Sequence, residues 1–141
     1  MASVVPTLEC EAIVWRLLRR KAWIDKDTIA SDIKVILPDA YLRRKDMDTD
    51  GLSVGIKGVC TLEDFKSSLN KVHGVVSLHV GRVRDLGLDV FPDDRQLIEE
   101  QGFEYDPCHA NIVNLPYVED NTKEAERLAG LLAKQSRWVA T

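Results

Sequence analysis

The chain has 141 residues, 45% of them hydrophobic and 30% charged, with 19 Lys and Arg against 23 Asp and Glu. This balance excludes a disordered tail, because disordered segments combine low hydrophobicity with a large charge imbalance. The net charge of −4 argues against a broad nucleic-acid-binding surface, which needs an excess of Lys and Arg on one face. We expect a single domain over residues 1–141.

The first half of the chain is predicted to contain two helices and two strands around an acidic loop. Apolar residues at helical spacing predict an amphipathic helix over residues 8–22, with Arg16, Arg19 and Arg20 on its polar face. Alternating or β-branched residues predict strands over 33–37 and 52–56, separated by a solvated loop over 41–51. Thr61, followed three residues later by Asp64, predicts the start of a helix over 62–72.

The second half is predicted to contain three strands and a C-terminal helix. The strands are expected over 75–80, 87–91 and 110–115, with a bend at Gly81 and a long loop over 92–108 that holds one helical turn near 96–101. Asn121 is the expected N-cap of a helix that ends near Arg137. The predicted fold class is α+β, with a mixed, largely antiparallel sheet packed against an N-terminal, a middle and a C-terminal helix.

The cysteines and the hydropathy pattern indicate the cellular compartment in which the protein is expected. Cys10, Cys60 and Cys108 are odd in number and lack C-x-x-C spacing, so we expect buried, reduced thiols rather than a disulfide framework or a zinc site. There is no signal-peptide pattern and no run of ~18 apolar residues that would span a membrane. A cytoplasmic protein with no membrane partner is the simplest expectation.

Three alternating carboxylates followed by a glycine resemble the opening of a calcium-binding loop. They are Asp46, Asp48, Asp50 and Gly51. The twelfth position of such a loop should be a bidentate Glu but is Lys57, and a predicted strand follows where an EF-hand has a helix. We therefore favour a solvated acidic turn, expect no metal or other cofactor, and keep calcium binding as an alternative.

Two histidines are candidates for acid–base chemistry. If the strands that hold His79 and His109 pair, these imidazoles, together with Asn111 and Arg82, suit general acid–base attack at a phosphodiester. A partly buried histidine bonded to a backbone carbonyl explains each of them equally well. Cys108 is disfavoured as a nucleophile activated by His109, because adjacent strand residues point to opposite faces. The common phosphate-loop, dinucleotide and zincin motifs are missing from the sequence.

A basic surface flanked by aromatic residues is the strongest electrostatic feature of the sequence. Tryptophan and arginine are enriched at the energetic centres of protein interfaces, so this surface predicts a binding site for a protein partner. Its candidate residues are Trp15, Arg19, Arg20, Tyr41, Arg43 and Arg44. The alternative is a solvated helix face with aromatic residues that complete the core. Nucleic acid is a possible but less favoured partner, and a homodimer is possible.

Three segments resemble a group of small uncharacterised bacterial proteins, notably cyanobacterial ones. The segments are 41–54 (YLRR…DGLSV), 79–90 (HVGRVRDLGLDV) and 109–116 (HANI…LP), and the resemblance covers about residues 15–137. It implies a prokaryotic cytosol and brings no activity, ligand or catalytic residue with it. From the residues themselves we expect a non-enzymatic protein-interaction module, with a small phosphodiester-acting or nucleotide-binding enzyme as the alternative.

Overall fold

Six antiparallel strands form one sheet in the computed structural model, which describes residues 8–31, 34–46, 48, 51–67, 69 and 71–139. The strands are β1 (Ile13–Leu17), β2 (Leu52–Ile56), β3 (Val75–His79), β4 (Asp89–Pro92), β5 (His109–Val113) and β6 (Arg137–Trp138). Their order across the sheet is β4-β5-β2-β1-β3-β6. Strands β1 and β2 therefore occupy the centre of the sheet, and β5 lies between β2 and the edge strand β4.

Four α-helices and three short 3-10 helices accompany the sheet within the described residues. The α-helices are α1 (Leu62–Lys66), α2 (Val80–Arg84), α3 (Arg95–Glu100) and α4 (Thr122–Gln135), and the 3-10 helices are Lys21–Trp23, Lys26–Thr28 and Pro38–Tyr41. The predicted α+β class is therefore confirmed. None of the helices among the described residues is both long and apolar enough to cross a membrane.

The predicted N-terminal helix is wrong, because residues 13–17 form the central strand β1. Val14 packs in the large core on one face of the sheet, whereas Trp15 and Leu17 pack in a smaller cluster on the other face. In the sequence, a strand that is buried on both faces is a continuous apolar run. Hydrophobic periodicity alone does not distinguish such a run from a buried helix.

Several other predicted elements differ from the structure in extent. The predicted strand over 33–37 is reduced, among the described residues, to a single bridge between Ile36 and Ile24, and Ile33 lies outside them. Gly81 lies inside helix α2 rather than at a bend. Helix α1 ends at Lys66 instead of continuing to residue 72. The helical turn expected near 96–101 is confirmed as α3.

The two faces of the sheet are covered unequally. The C-terminal helix α4, capped by the Asn121 side chain as predicted, buries Leu128 and Leu132 in the large core beside the 3-10 helix Pro38–Tyr41. On the opposite face, Phe65 and its neighbours cover only the part of the sheet around Trp15. Polar side chains of β2 and β5 therefore remain accessible on that second face.

Candidate functional site

A serine, a histidine and an aspartate on the accessible face of the sheet are joined by hydrogen bonds. The Ser53 hydroxyl bonds to Nε2 of His109, and Nδ1 of His109 lies 2.5 Å from Oδ2 of Asp93. Asn111 donates from Nδ2 to the other carboxylate oxygen of Asp93 over 3.0 Å. Because the carboxylate only accepts, Nδ1 carries the proton and Nε2 is left to accept from the serine.

The antiparallel register of β2, β5 and β4 brings these residues together. Ser53 lies opposite Asn111, and Gly55 lies opposite His109, so Ser53 and His109 are diagonal neighbours on one face. Asp93 follows β4, and its backbone N–H donates to the carbonyl of His109 over 3.1 Å. Strands β2 and β5 and the end of β4 thus place Ser53, His109 and Asp93 next to one another in that order.

Burial increases along the hydrogen-bonded chain. Ser53 is exposed, the His109 side chain is 30% exposed, and the Asp93 side chain is only 12% exposed. An accessible hydroxyl, a base within hydrogen-bond reach and a buried group that orients the base form the arrangement that activates a serine nucleophile. We call Ser53, His109 and Asp93 the triad.

A pocket of about 140 Å³ adjoins the triad, with both Ser53 and His109 in its lining. Leu17, Phe65 and Leu69 supply its apolar wall, and the charged residues Arg16, Arg19 and Asp106 complete the lining. Phe65 approaches the sheet closely because Gly55 has no side chain: a Cβ there would lie 2.5 Å from Cε1 of the ring.

Arg16 is a buried residue of strand β1, which corrects its assignment to the polar face of a helix. It is 4% exposed, and its guanidinium donates from Nε to the Ala40 carbonyl and from Nη1 to the Ser53 carbonyl, each over 2.8 Å. The rings of Trp23 and Tyr41 lie 5.4 and 5.7 Å from its central carbon. Burial lowers the pKa of Arg16 to about 10, so the group is still charged at neutral pH.

A second pocket, of about 110 Å³, lies on the other side of Arg16. Arg16, Arg19, Arg20 and Arg44 line it together with Asp39 and Asp48. The surface predicted from sequence thus exists in part, since Arg19, Arg20 and Arg44 are exposed and meet in one place. We call this space the arginine pocket.

Three other residues predicted for that surface are held inside the fold. Trp15 is 7% exposed and stacks on Phe65, with 6.1 Å between ring centroids. Tyr41 is fully buried and its hydroxyl bonds to that of Ser136. Arg43 donates from Nη1 to the Leu115 carbonyl over 2.9 Å. Trp15 and Tyr41 are therefore core residues, and Arg43 ties two loops together.

The predicted pairing of His79 with His109 does not occur. The two imidazoles share a face of the sheet, but β1 and β2 lie between their strands, so the strands themselves are three spacings, about 14 Å, apart. His79 instead lines a separate open hollow with Arg82. Of the four residues predicted to act together, His109 and Asn111 are at the triad, and His79 and Arg82 are not.

Cys60 and Cys108 form a disulfide, so the expectation of reduced thiols is wrong for this pair. The bond also excludes Cys108 as a free nucleophile. Cys10 has a free thiol and is exposed rather than buried. The expectation of a cytoplasmic location rested partly on reduced thiols and stays a prediction.

The acidic loop is described only in part. Asp48 accepts a hydrogen bond from the backbone N–H of Arg44 over 3.0 Å, Asp46 is exposed, and Asp50 lies outside the described residues. Among the residues that the structure covers, no three His, Cys, Asp or Glu side chains are grouped so as to hold a metal ion.

Sequence reasoning singled out His109 and Asn111 but missed Ser53 and Asp93. The alternation Leu52-Ser53-Val54 does put Ser53 on the solvent side of its strand. Residues 51–55 (GLSVG) also match the nucleophile pattern G-x-S-x-G with Ser53 at its centre, a signal that was overlooked. Here the pattern lies in a strand rather than at a strand-to-helix turn, and 56 residues separate Ser53 from His109. Only the strand register shows that they meet.

Comparison of the chain with protein-family models, with curated proteins and with solved structures finds no match. The resemblance to small bacterial proteins noted from the sequence therefore stays a prediction. Function has to be argued from the triad and from the two pockets beside it.

Proposed function

We propose that the chain is a serine-dependent acyl hydrolase that cleaves esters or thioesters of short acyl groups. Ser53 is the nucleophile, His109 is the general base and then the general acid, and Asp93 is the positioning residue for His109. The observation that carries the proposal is the hydrogen-bonded line from an exposed hydroxyl through an imidazole to a nearly buried carboxylate.

The reaction follows from this geometry in two balanced halves. Ser53 Oγ attacks the carbonyl carbon while its proton passes to Nε2 of His109, and that proton then goes to the leaving alcohol or thiol as its bond to carbon breaks. A water molecule next gives a proton to Nε2 and attacks the acyl-serine. His109 returns the proton to Ser53 as the carboxylic acid leaves.

We call the pocket lined by Ser53 and His109 the acyl pocket. Its other residues suit both stabilisation of a developing negative charge and binding of a short acyl chain. Arg19 is the exposed cation beside Ser53 and is our assignment for the group that neutralises the oxyanion of the tetrahedral intermediate. The apolar wall of Leu17, Phe65 and Leu69 suits a hydrocarbon chain, and a volume of about 140 Å³ limits that chain to a few carbons.

The test is hydrolysis of p-nitrophenyl acetate, butyrate and octanoate, combined with fluorophosphonate labelling. We expect hydrolysis of the two short esters and labelling of Ser53, identified by mass spectrometry of its peptide. Ser53→Ala should abolish both without a change in melting temperature. Ser77→Ala, on the same face of the sheet opposite Trp15, is the matched control and should behave as wild type. Wild-type rates in Ser53→Ala would overturn the proposal.

The two functions expected from sequence have different support. The phosphodiester enzyme required His79 close to His109, and their separation removes its basis. The protein-interaction module stays a prediction, supported by the exposed residues Arg19, Arg20 and Arg44. We favour the enzyme, because a surface that only binds a protein partner does not need a hydrogen-bonded serine and histidine next to its exposed arginines.

A further inference from the structure

We infer that the arginine pocket binds a phosphate group and that, if the proposed hydrolase activity holds, this phosphate belongs to the alcohol or thiol portion of the acyl substrate. The second half of this inference rests on the proposed function. The first half concerns binding alone and stands on the charges of the pocket.

The arginine pocket carries unbalanced positive charge. Four guanidinium groups line it against two carboxylates, Asp39 and Asp48, and Asp48 already accepts the backbone N–H of Arg44. Within the described part of the chain, the side chains of Arg20 and Arg44 make neither an ion pair nor a hydrogen bond, whereas Arg84, Arg95 and Arg127 each bind a carboxylate. In the same part of the chain, Arg82 and Arg137 are also exposed and without such a partner, but they line the separate hollow beside His79, whereas Arg19, Arg20 and Arg44 meet in the arginine pocket.

The buried guanidinium of Arg16 lines this pocket without a directly paired carboxylate, although Asp48 lies close enough to interact with it electrostatically. Among the residues described, no carboxylate lies within ion-pairing distance of Arg16, whose hydrogen-bonding partners are the carbonyls of Ala40 and Ser53. Charges removed from water are ordinarily paired, because desolvation is costly and attraction in the interior is strong. An anion in the pocket would supply a directly paired charge.

Phosphate fits this site better than a monovalent carboxylate does. Guanidinium groups bind phosphate oxygens through paired N–H donors, and several arginines can share one doubly charged anion. The pocket volume of about 110 Å³ accommodates such a group. The surplus of two positive charges over the lining carboxylates matches its charge.

Arg16 and Arg19 connect this pocket to the acyl pocket, because both residues line both spaces. A single ligand can therefore place a carbonyl at Ser53 and an anionic group at Arg20 and Arg44. The substrate class that follows is a short-chain acyl ester or thioester whose alcohol or thiol carries phosphate.

The binding half is tested by isothermal calorimetry with inorganic pyrophosphate at constant ionic strength. Ser53→Ala should bind pyrophosphate as wild type does, since the triad is not required. The double variant Arg20→Gln/Arg44→Gln should bind at least about tenfold more weakly, because two charge-assisted partners are lost. The matched control Arg82→Gln/Arg137→Gln removes two exposed arginines elsewhere and should bind normally. Absence of binding at millimolar pyrophosphate, or equal weakening in both double variants, would overturn the site.

The substrate half is tested by comparing monobutyryl glycerol phosphate with monobutyryl glycerol. We expect kcat/KM to be about tenfold or more higher for the phosphorylated ester, and this preference to disappear in Arg20→Gln/Arg44→Gln. Equal rates for the two esters in wild type would overturn the substrate assignment. If neither ester nor any p-nitrophenyl ester is cleaved, the hydrolase proposal is wrong, and the calorimetry alone decides whether the pocket binds phosphate.

Discussion

Arg16 donates a hydrogen bond from Nη1 to the backbone carbonyl of Ser53 over 2.8 Å. The backbone pairing of β1 with β2 ends at Trp15 and Gly55. Beyond that point, the Arg16 guanidinium hydrogen-bonds β1 to β2 through the Ser53 carbonyl. Through Nε it also holds the Ala40 carbonyl. A buried cation therefore fixes the position of the strand that carries the proposed nucleophile.

Replacing Arg16 by lysine should destabilise the fold although the charge is kept. One ammonium on a flexible chain does not satisfy two carbonyls that the guanidinium fork reaches together, and a buried carbonyl without a partner costs about 1–3 kcal/mol. We expect a loss of that size in the free energy of unfolding, measured by urea denaturation. Arg127→Lys, on the exposed face of α4, should change it by less than about 0.5 kcal/mol. Equal stabilities of the two variants would contradict this role of Arg16.

Asp93→Asn should impair turnover far more than substrate binding. Asparagine keeps one acceptor oxygen, and when that oxygen accepts from Asn111 its amide N–H faces Nδ1 of His109 and favours the wrong tautomer. We therefore expect kcat for p-nitrophenyl acetate to fall about 10²–10⁴-fold with KM nearly unchanged. Proton NMR provides a readout independent of activity: the downfield, slowly exchanging Nδ1–H resonance of His109 should be lost or shifted. Asn111→Ala removes only the second partner of Asp93 and should have a smaller effect. An unchanged resonance in Asp93→Asn would refute the assignment.

Local sequence patterns were sufficient to predict elements whose large apolar side chains all pack on one face. Strand β2 shows strict alternation, and α4 has an N-cap asparagine followed by an apolar stripe, so both were predicted nearly to the residue. Strand β1 failed for the opposite reason, since both its faces are buried and its apolar residues fall at helical spacing by coincidence. Propensity alone does not resolve such a run.

One of the three triad residues, His109, was predicted from the sequence. His109 and its neighbour at the site, Asn111, stood out as polar residues at the start of a predicted strand, where they were expected to share one end of the sheet with His79. Ser53 is the central residue of an overlooked G-x-S-x-G pattern, whereas Asp93 has no local signal. Both meet His109 only because β2, β5 and β4 pair in this register. The disulfide between Cys60 and Cys108 was missed in the same way, because 48 residues separate its ends. Long-range pairing is the information that single-sequence patterns lack.

Gly55→Ala should destabilise the protein by displacing Phe65. The new Cβ would meet the Phe65 ring at 2.5 Å, and overpacking of this kind costs about 1–3 kcal/mol. The double variant Gly55→Ala/Phe65→Ala should lose much less stability relative to Phe65→Ala alone. Urea denaturation of the four proteins gives the coupling between the two positions. If Gly55→Ala costs as much without the Phe65 ring as with it, the close contact is not the cause.

Reduction of the Cys60–Cys108 disulfide should lower both stability and activity. Closing a loop of this length contributes up to about 4 kcal/mol by chain entropy, and Cys108 is adjacent to His109. We expect Cys60→Ser/Cys108→Ser to unfold at lower urea and to hydrolyse esters more slowly. Addition of dithiothreitol should reproduce both effects in wild type. Cys10→Ser, at the free exposed cysteine, should have neither effect, and a wild-type midpoint in the double variant would contradict the prediction.

Tyr41 should make the protein lose stability at alkaline pH. Burial raises the pKa of its phenol from 10 to about 12, so between these values the unfolded chain ionises while the folded protein keeps the proton. The stability that Tyr41 contributes is complete below pH 10 and falls as the pH rises toward 12. At about 1.4 kcal/mol per pH unit, the loss is about 2 kcal/mol near pH 11.5.

Tyr41→Phe isolates this effect, because phenylalanine does not ionise. At pH 8 the variant should be less stable than wild type, since it lacks the hydrogen bond to Ser136. Between pH 10 and 11.5 that difference should shrink, as only wild type loses the contribution of the phenol. Arg16 titrates in the same range because burial lowers its pKa to about 10. Its charge interacts with Tyr41, so part of the difference between the two curves belongs to Arg16. Parallel stability curves from urea denaturation would show that Tyr41 keeps an ordinary pKa in the fold.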